Sequence, residues 1–278
     1  MRIANRLHFE RTPFQEIEVY ETTHFGNLLI LDGFIMLSGR DNFIYHEMMT
    51  HPALYTHPDP KRVLIIGGGD CGCLREVLQH DGVNSAELVE LDERVTRVSE
   101  QFFPELCAAN HDPRASLNFV DGVQWVEDAE PGSHDVIVID STDPIGQAAR
   151  LFQAPFYASC RRALGEDGLL AVQSESPLIH LELIHSIRSE MGKAEFQHIS
   201  TLNFPQCTYP SGWWSVTMAG GRQPHPAFRE HDARDKGFAT RYYNADIHRA
   251  ALAQPEFFNQ RDTDRARARQ TKDPDQAR

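Results

Sequence analysis

Acidic side chains recur at one kind of position in this sequence: just after short apolar runs. Arg62 to Ile66 leads into Gly67-Gly68-Gly69-Asp70, and Ala86 to Leu91 closes on Glu90-Leu91-Asp92. Leu117 to Val120 leads into Asp121-Gly122, Asp135 to Ile139 into Asp140-Ser141-Thr142-Asp143-Pro144, and Leu169 to Val172 into Gln173-Ser174-Glu175. If the runs are strands of an open α/β sheet, ligands bind beyond their carboxyl ends. One acid after a strand is ordinarily a helix N-cap. Acids after five successive strands favour an acidic, functional cleft over capping alone.

The order of these groups narrows the ligand. A glycine loop built for pyrophosphate offers N–H groups and avoids negative charge. Here Asp70 follows the glycines, so it repels phosphate and carboxylate and attracts ammonium. Glu90, about 20 residues past the loop, stands where a carboxylate takes ribose hydroxyls. Asp121-Gly122 is placed for an adenine amino group. Together they imply an adenosine ligand with a cationic appendage and no phosphate. Two metal motifs fail on spacing. His46-Glu47 with His51 is one residue too long for the helical zinc pattern, and Cys71-x-Cys73 has no second cysteine pair. Met48, Met49 and Leu54 read as core. Of Trp213 and Trp214, adjacent on a strand, one faces away from the other.

The elements that must position these groups follow from the patterning. Phe14 to Thr22, Leu28 to Leu31 and Phe34 to Leu37, separated by Gly26-Asn27 and Asp32-Gly33, predict a small antiparallel meander. Helical spacing covers Tyr45 to Tyr55. From Lys61, the strands named above alternate with helical segments at about Leu74 to Leu78, Glu93 to Phe103, Val123 to Glu127, Pro155 to Leu164 and Leu178 to Met191. That alternation predicts a doubly wound, mostly parallel α/β sheet. Phe196 to Phe204 and Trp213 to Ala219 read as two last strands. The division expected is 1–57 for the β-meander, 58–260 for a Rossmann-like catalytic domain and 261–278 for a disordered tail. The 278 residues carry a net charge of −13, which argues against nucleic acid as a main partner and suits cationic ligands. No apolar run approaches the roughly 20 residues of a membrane span. The N-terminus has no signal-like stretch, so the five cysteines are expected as reduced thiols in a cytoplasm.

From about Gln15 to Ala219 the chain resembles the polyamine aminopropyltransferase family, whose catalytic domain is a class I methyltransferase-like Rossmann fold. The resemblance rests on Leu31-Asp32-Gly33, Tyr45-His46-Glu47-Met48, Gly67-Gly68-Gly69-Asp70 with Leu74-Arg75-Glu76-Val77, Glu90-Leu91-Asp92, Asp121-Gly122, Asp140 to Gly146, and Thr208 to Gly212. The family transfers an aminopropyl group from decarboxylated S-adenosylmethionine to a diamine, usually putrescine, giving spermidine and 5′-methylthioadenosine. The resemblance implies that Gln15 and Glu90 hold the ribose region, Asp121 and Gly122 the adenine, and Gly67 and Gly69 the donor loop. His46 and Asp70 would meet the donor's amine, Asp140 would be the base assisted by Tyr45, and Ser141, Thr142, Asp143 and Tyr209 would bind the acceptor. It also implies a homodimer or homotetramer built partly through the N-terminal region. No metal or cofactor is expected, the nucleoside donor being a co-substrate.

Several positions depart from the family pattern. Cys71 replaces a usual glycine, and Cys73 stands at a more variable position. Met36 stands where glutamine is frequent, Gly39 and Asn42 where glutamates are, and Gln147 where proline is common. Met36 and Trp213 are expected to shape the amine pocket. Transfer to spermidine, agmatine or cadaverine stays open as an alternative. So do an S-adenosylmethionine methyltransferase and a non-catalytic binding protein, although Asp140 and Tyr45 are both retained.

Overall fold

The structure is a computed structural model that describes residues 1–142, 146–220 and 228–259, and the side chains of 146 and 147 are not among those described. Asp143, the Gln147 side chain and the tail from 261 therefore lie outside the described residues.

A four-stranded antiparallel sheet comes first: β1 (Ile3–Arg11), β2 (Glu16–Thr22), β3 (Gly26–Leu31) and β4 (Phe34–Ser38), in that spatial order. Sequence patterning shows only the last three. β1 is exposed along nearly its whole length, so it carries no inside–outside alternation, and its pairing to β2 is interrupted by two register shifts. The buried face of this sheet (Ile17, Val19, Leu29, Leu37) packs on Val95, Val98 and Phe103 of a helix in the larger unit.

That unit is a seven-stranded sheet. Its strands are β5 (Arg62–Gly67), β6 (Ser85–Glu90), β7 (Ala115–Phe119), β8 (His134–Asp140), β9 (Leu164–Gln173), β10 (His198–Pro205) and β11 (Trp213–Gly220). The spatial order is β10-β11-β9-β8-β5-β6-β7, and β11 alone runs antiparallel to its neighbours. The predicted doubly wound, mostly parallel sheet is borne out. Alternate strand residues feed two apolar layers. Val63, Ile65, Val136 and Val138 face α1 (Asn42–Thr56) and α2 (Gly72–Leu78). Leu64, Ile66, Ile137 and Ile139 face the layer of α4 (Gly122–Asp128), α5 (Ala154–Ala163) and α6 (Leu181–Lys193). α3 (Glu93–Phe102) lies between the two sheets.

Helix α1 starts one turn earlier than its periodicity indicates and holds Pro52 inside. It is buried on nearly every face, so it lacks the polar stripe that would mark its start. α6 begins at Leu181 rather than Leu178, because 174–180 form the loop leaving β9. Two short helices, α7 (Glu230–Arg234) and α8 (Ala245–Ala251), have no counterpart in the sequence reading. The segment they belong to is fastened to α1: Glu47 accepts the backbone N–H groups of Arg241, Tyr242 and Tyr243 at 2.7–2.9 Å.

Candidate active site

Strands β5 and β8 are neighbours, and the connections leaving their carboxyl ends run to opposite faces of the sheet, to α2 and α5. That is where a doubly wound sheet opens a crevice. A cavity of about 680 Å³ occupies it. Residues from all the strand ends singled out above line this cavity: Gly67, Gly68, Gly69 and Asp70; Glu90; Asp121 and Gly122; Asp140, Ser141 and Thr142; Gln173 and Glu175. Gln15 closes one side from the N-terminal sheet, and Tyr45 and Tyr209 line another part.

The glycine loop is pressed against the end of β8. Gly68 N–H donates to the Asp140 carbonyl at 2.7 Å. Gly67 has φ +79°, and a Cβ there would lie 2.3 Å from the Asp140 carbonyl oxygen, so no side chain fits. Cys71, at the family's usual glycine, also adopts a left-handed φ of +67°. Its thiol is buried and meets the Gly69 carbonyl at 3.6 Å.

On one side of the cavity, Glu90 accepts the Asp92 N–H at 2.9 Å, and burial pushes its carboxyl up to about 7. Gln15 donates to Asp92 at 3.2 Å, while Asp92 caps α3. Asp121 caps α4 through the Val123 N–H at 2.8 Å, so the capping role and the cleft position coexist in one residue.

On the other side, Tyr45 donates to Asp140 Oδ1 at 2.6 Å. Burial raises the Asp140 carboxyl, and the nearby Asp70 charge adds to this. His46 and the hydrogen bond from Tyr45 work the other way. Asp70 is not the lone charge that its position after the glycines implies. It pairs with His46 Nε2 at 3.2 Å and accepts the Gly72 N–H at 2.7 Å. Burial opposes its ionisation, yet His46 and these hydrogen bonds hold its carboxyl below the usual range. His46 is raised despite its burial, through Asp70 first. Its ring packs so closely on α2 that a Cβ at residue 72 would sit 2.2 Å from it. His46, Asp70 and Asp140 each bring a donor atom within 4.8 Å of the others. Within this trio His46 and Asp70 form an ion pair, while neither ring nitrogen of His46 meets a hydrogen-bond partner of good geometry among the described residues.

The dropped zinc pattern is explained by where its members point. Glu47 holds the C-terminal segment, and His51 pairs with Glu76 at 3.2 Å and His80 at 3.0 Å in a buried cluster.

One expectation is corrected. Trp213 does not line the cavity; its ring lies edge-on to Phe257, 6.1 Å between centroids. Trp214 lines it instead, buried and 4.5 Å from the Tyr209 ring. Strand alternation requires one of the pair to face inward, and the register of β11 against β9 selects the second. Met36 does line the cavity, and its carbonyl accepts the Tyr209 hydroxyl. Sequence reasoning missed His180, which lines the cavity and pairs with Glu175 at 3.0 Å. It sits in the loop that periodicity had assigned to a helix.

The sheet order and the strand-end crevice define a methyltransferase-like Rossmann enzyme fold. Residues 42–228 match the spermine/spermidine synthase domain, and residues 1–39 match the spermidine synthase tetramerisation domain. A polyamine aminopropyltransferase of Nitrosococcus oceani is 62% identical over 94% of this chain and 91% of its own length. Another, from Thioalkalivibrio sulfidiphilus, is 58% identical over 94% and 93%. Among solved structures, a spermidine synthase in complex with the transition state analogue AdoDATO is 35% identical, with TM-score 0.89 over 94% of this chain and 89% of that one. The spermidine synthase of Thermotoga maritima is also 35% identical, with TM-score 0.88 over 94% and 88%. The chain belongs to the polyamine aminopropyltransferase family of transferases.

Proposed function

We propose that this enzyme is a spermidine synthase. It moves the aminopropyl group of decarboxylated S-adenosylmethionine to putrescine, giving spermidine and 5′-methylthioadenosine. The observation that carries this reading is Asp140 with Tyr45 on its carboxylate, facing a cavity whose other walls bear Glu90 and the Asp70–His46 pair.

Decarboxylation leaves the donor with a sulfonium and a primary ammonium. The Asp70–His46 pair receives that ammonium, and a carboxylate at the same place would meet Asp70. Glu90 and Gln15 take the ribose region, and Asp121 and Gly122 the adenine. An acceptor ammonium, with pKa about 10, is about a thousandfold protonated at pH 7, which costs about 4 kcal/mol before attack. Asp140 takes that proton, and burial makes it a better base than an exposed aspartate. The freed nitrogen attacks the carbon beside sulfur, the carbon–sulfur bond breaks, and the neutral thioether leaves. The displacement calls on no metal or further cofactor.

Putrescine is favoured over longer amines because Trp214 and Tyr209 wall the amine end. The Glu175–His180 pair on the same cavity supports the second reading, a longer acceptor such as spermidine, agmatine or cadaverine. Decarboxylated donor with a panel of these amines, the products separated by chromatography, decides between them. Putrescine should lead spermidine at least about tenfold in kcat/KM. Methyl transfer from intact S-adenosylmethionine would overturn the whole reading.

We further infer a homodimer or homotetramer assembled through the N-terminal sheet, acting in the cytoplasm. The match of residues 1–39 and the exposed apolar residues of that sheet support the first part. The free thiols, with Cys207 exposed, suit a reducing compartment. Packing of α1 on the larger sheet favours a domain boundary near residue 40 over one at 57.

A further inference from the structure

We infer that Asp41 is a positioning residue for the acceptor site: its carboxylate holds the β10–β11 loop through Thr208 and so sets the Tyr209 ring against the cavity. This rests on the reading of Tyr209 as a wall of the acceptor site. Asp41 immediately precedes α1, at the position where an aspartate ordinarily accepts N–H groups of the first helical turn. Its side chain makes no such bond. Both oxygens are engaged elsewhere. Oδ1 accepts the hydroxyl of Ser38, at the end of β4, at 2.6 Å. Oδ2 accepts the Thr208 N–H at 2.9 Å and the Thr208 hydroxyl as well. Ser38, Asp41 and Thr208 are all buried.

Thr208 precedes Tyr209 in a loop closed on itself. Tyr209 N–H donates to the Gln206 carbonyl at 3.1 Å, and Gln206 N–H to the Gly212 carbonyl at 2.9 Å. A loop with such internal bonds moves as a unit, so a tether on Thr208 sets where Tyr209 points. The Tyr209 hydroxyl in turn donates to the Met36 carbonyl of β4. The loop is thus fastened at two points to the β4–α1 connection, which leads on into Tyr45. The Tyr209 ring lies edge-on to Tyr45, 5.9 Å between centroids, and 4.5 Å from Trp214. Tyr45, Tyr209 and Trp214 line the cavity, and Asp41 does not. Asp41 therefore acts on the acceptor through the loop, without touching it. Two Thr208 donors on one carboxylate oxygen fix distance and direction together, which a single freely rotating hydroxyl does not.

The test uses the full chain with Asp41→Ala, Thr208→Val and Tyr209→Ala, measuring kcat and amine KM at saturating donor, and methylthioadenosine affinity by calorimetry. Asp41→Ala should raise the amine KM about tenfold. Its kcat and methylthioadenosine affinity should stay close to native, the pattern left by loss of binding shared between ground and transition states. Thr208→Val keeps the backbone N–H and loses only the hydroxyl, so its KM should rise about threefold. Asp41→Asn should recover most of the loss, because its amide oxygen can face Thr208 while its NH₂ meets the Ser38 oxygen. Asp41→Ala combined with Tyr209→Ala should match Tyr209→Ala alone in amine KM, since the tether acts through that ring. A lowered melting temperature with native amine KM in Asp41→Ala and Thr208→Val would mark a structural staple and overturn the proposal. Additive effects in the double variant would overturn it too. If Asp41→Ala does not fold, Thr208→Val and its combination with Tyr209→Ala decide by the same criteria. If Tyr209→Ala keeps the native amine KM, the reading of the acceptor wall fails and this inference with it. If Tyr209→Ala raises that KM while Asp41→Ala and Thr208→Val track the native enzyme, only this inference fails.

Discussion

At the scale of single residues, the site separates two carboxyl groups with different tasks, and each gives a measurable consequence. Asp140→Asn keeps the shape and the Tyr45 contact but cannot take a proton. Turnover should fall about 10²- to 10⁴-fold, with methylthioadenosine affinity in calorimetry changed far less. Glu90 is held up to about 7 by burial, whereas the proposed contact with two ribose hydroxyls favours the ionised, acceptor-only carboxylate. Nucleoside binding should therefore release a proton and tighten as pH rises through 7. The gain between pH 6 and 8 should be about tenfold, the ratio of ionised fractions at those pH values. Titrations in buffers of different ionisation enthalpy read the released proton directly, and Glu90→Gln should abolish both effects. The linkage has a definite sign. A carboxyl raised on folding favours the native state below its unfolded value of about 4.5, and that contribution is lost as pH rises through about 7.

At the scale of elements, β11 and α1 carry the most consequential positioning. β11 turns Trp214 into the cavity and Trp213 onto Phe257. Trp214→Ala should raise the kcat/KM of spermidine relative to putrescine by about tenfold, while Trp213→Ala leaves the ratio unchanged in the same assay. An unchanged ratio in both would place the acceptor elsewhere in the cavity. α1 supplies Tyr45 and His46 from its first turn and Glu47 for the C-terminal segment. Glu47→Ala strands three backbone donors, at a cost of about 3 kcal/mol. For a chain of this size that is a fall in Tm of about 6–12 °C, read by thermal denaturation.

At the scale of the whole molecule, the N-terminal sheet packs one face on α3 and leaves Ile3, Leu7, Phe9 and Phe34 exposed, with β1 as an open edge. Isolated exposed apolar residues are ordinary, but several on one four-stranded sheet need a cover. Light scattering at micromolar concentration should give two or four chains per particle. Ile3→Glu combined with Phe9→Glu should reduce that number while leaving the α/β core folded by circular dichroism. A native monomer would refute assembly through this sheet. The net charge of −13 acts on the same scale: it favours the approach of cationic ligands, an effect that salt screens.

What could be read from the sequence was what local chemistry encodes. The apolar runs closed by glycine and acid marked five strand ends, and the parallel order followed from their alternation with helices. A buried strand and its terminating residue are specified within a few positions, so Asp70, Glu90, Asp121, Asp140 and Glu175 could all be placed on one rim. Contacts between distant segments left no such mark. Alternation says that Trp213 and Trp214 face opposite ways, yet only pairing of β11 with β9 decides which ring lines the cavity. β1 escaped because an exposed strand has no buried face to pattern, and α7 and α8 because they are too short for a period to show. The His46 partner of Asp70, the Tyr45 hydroxyl on Asp140 and the three N–H groups on Glu47 exist only once α1, the larger sheet and the C-terminal segment have packed. Tertiary structure thus decided the electrostatics of the site, because a carboxylate's basicity depends on which groups burial brings beside it.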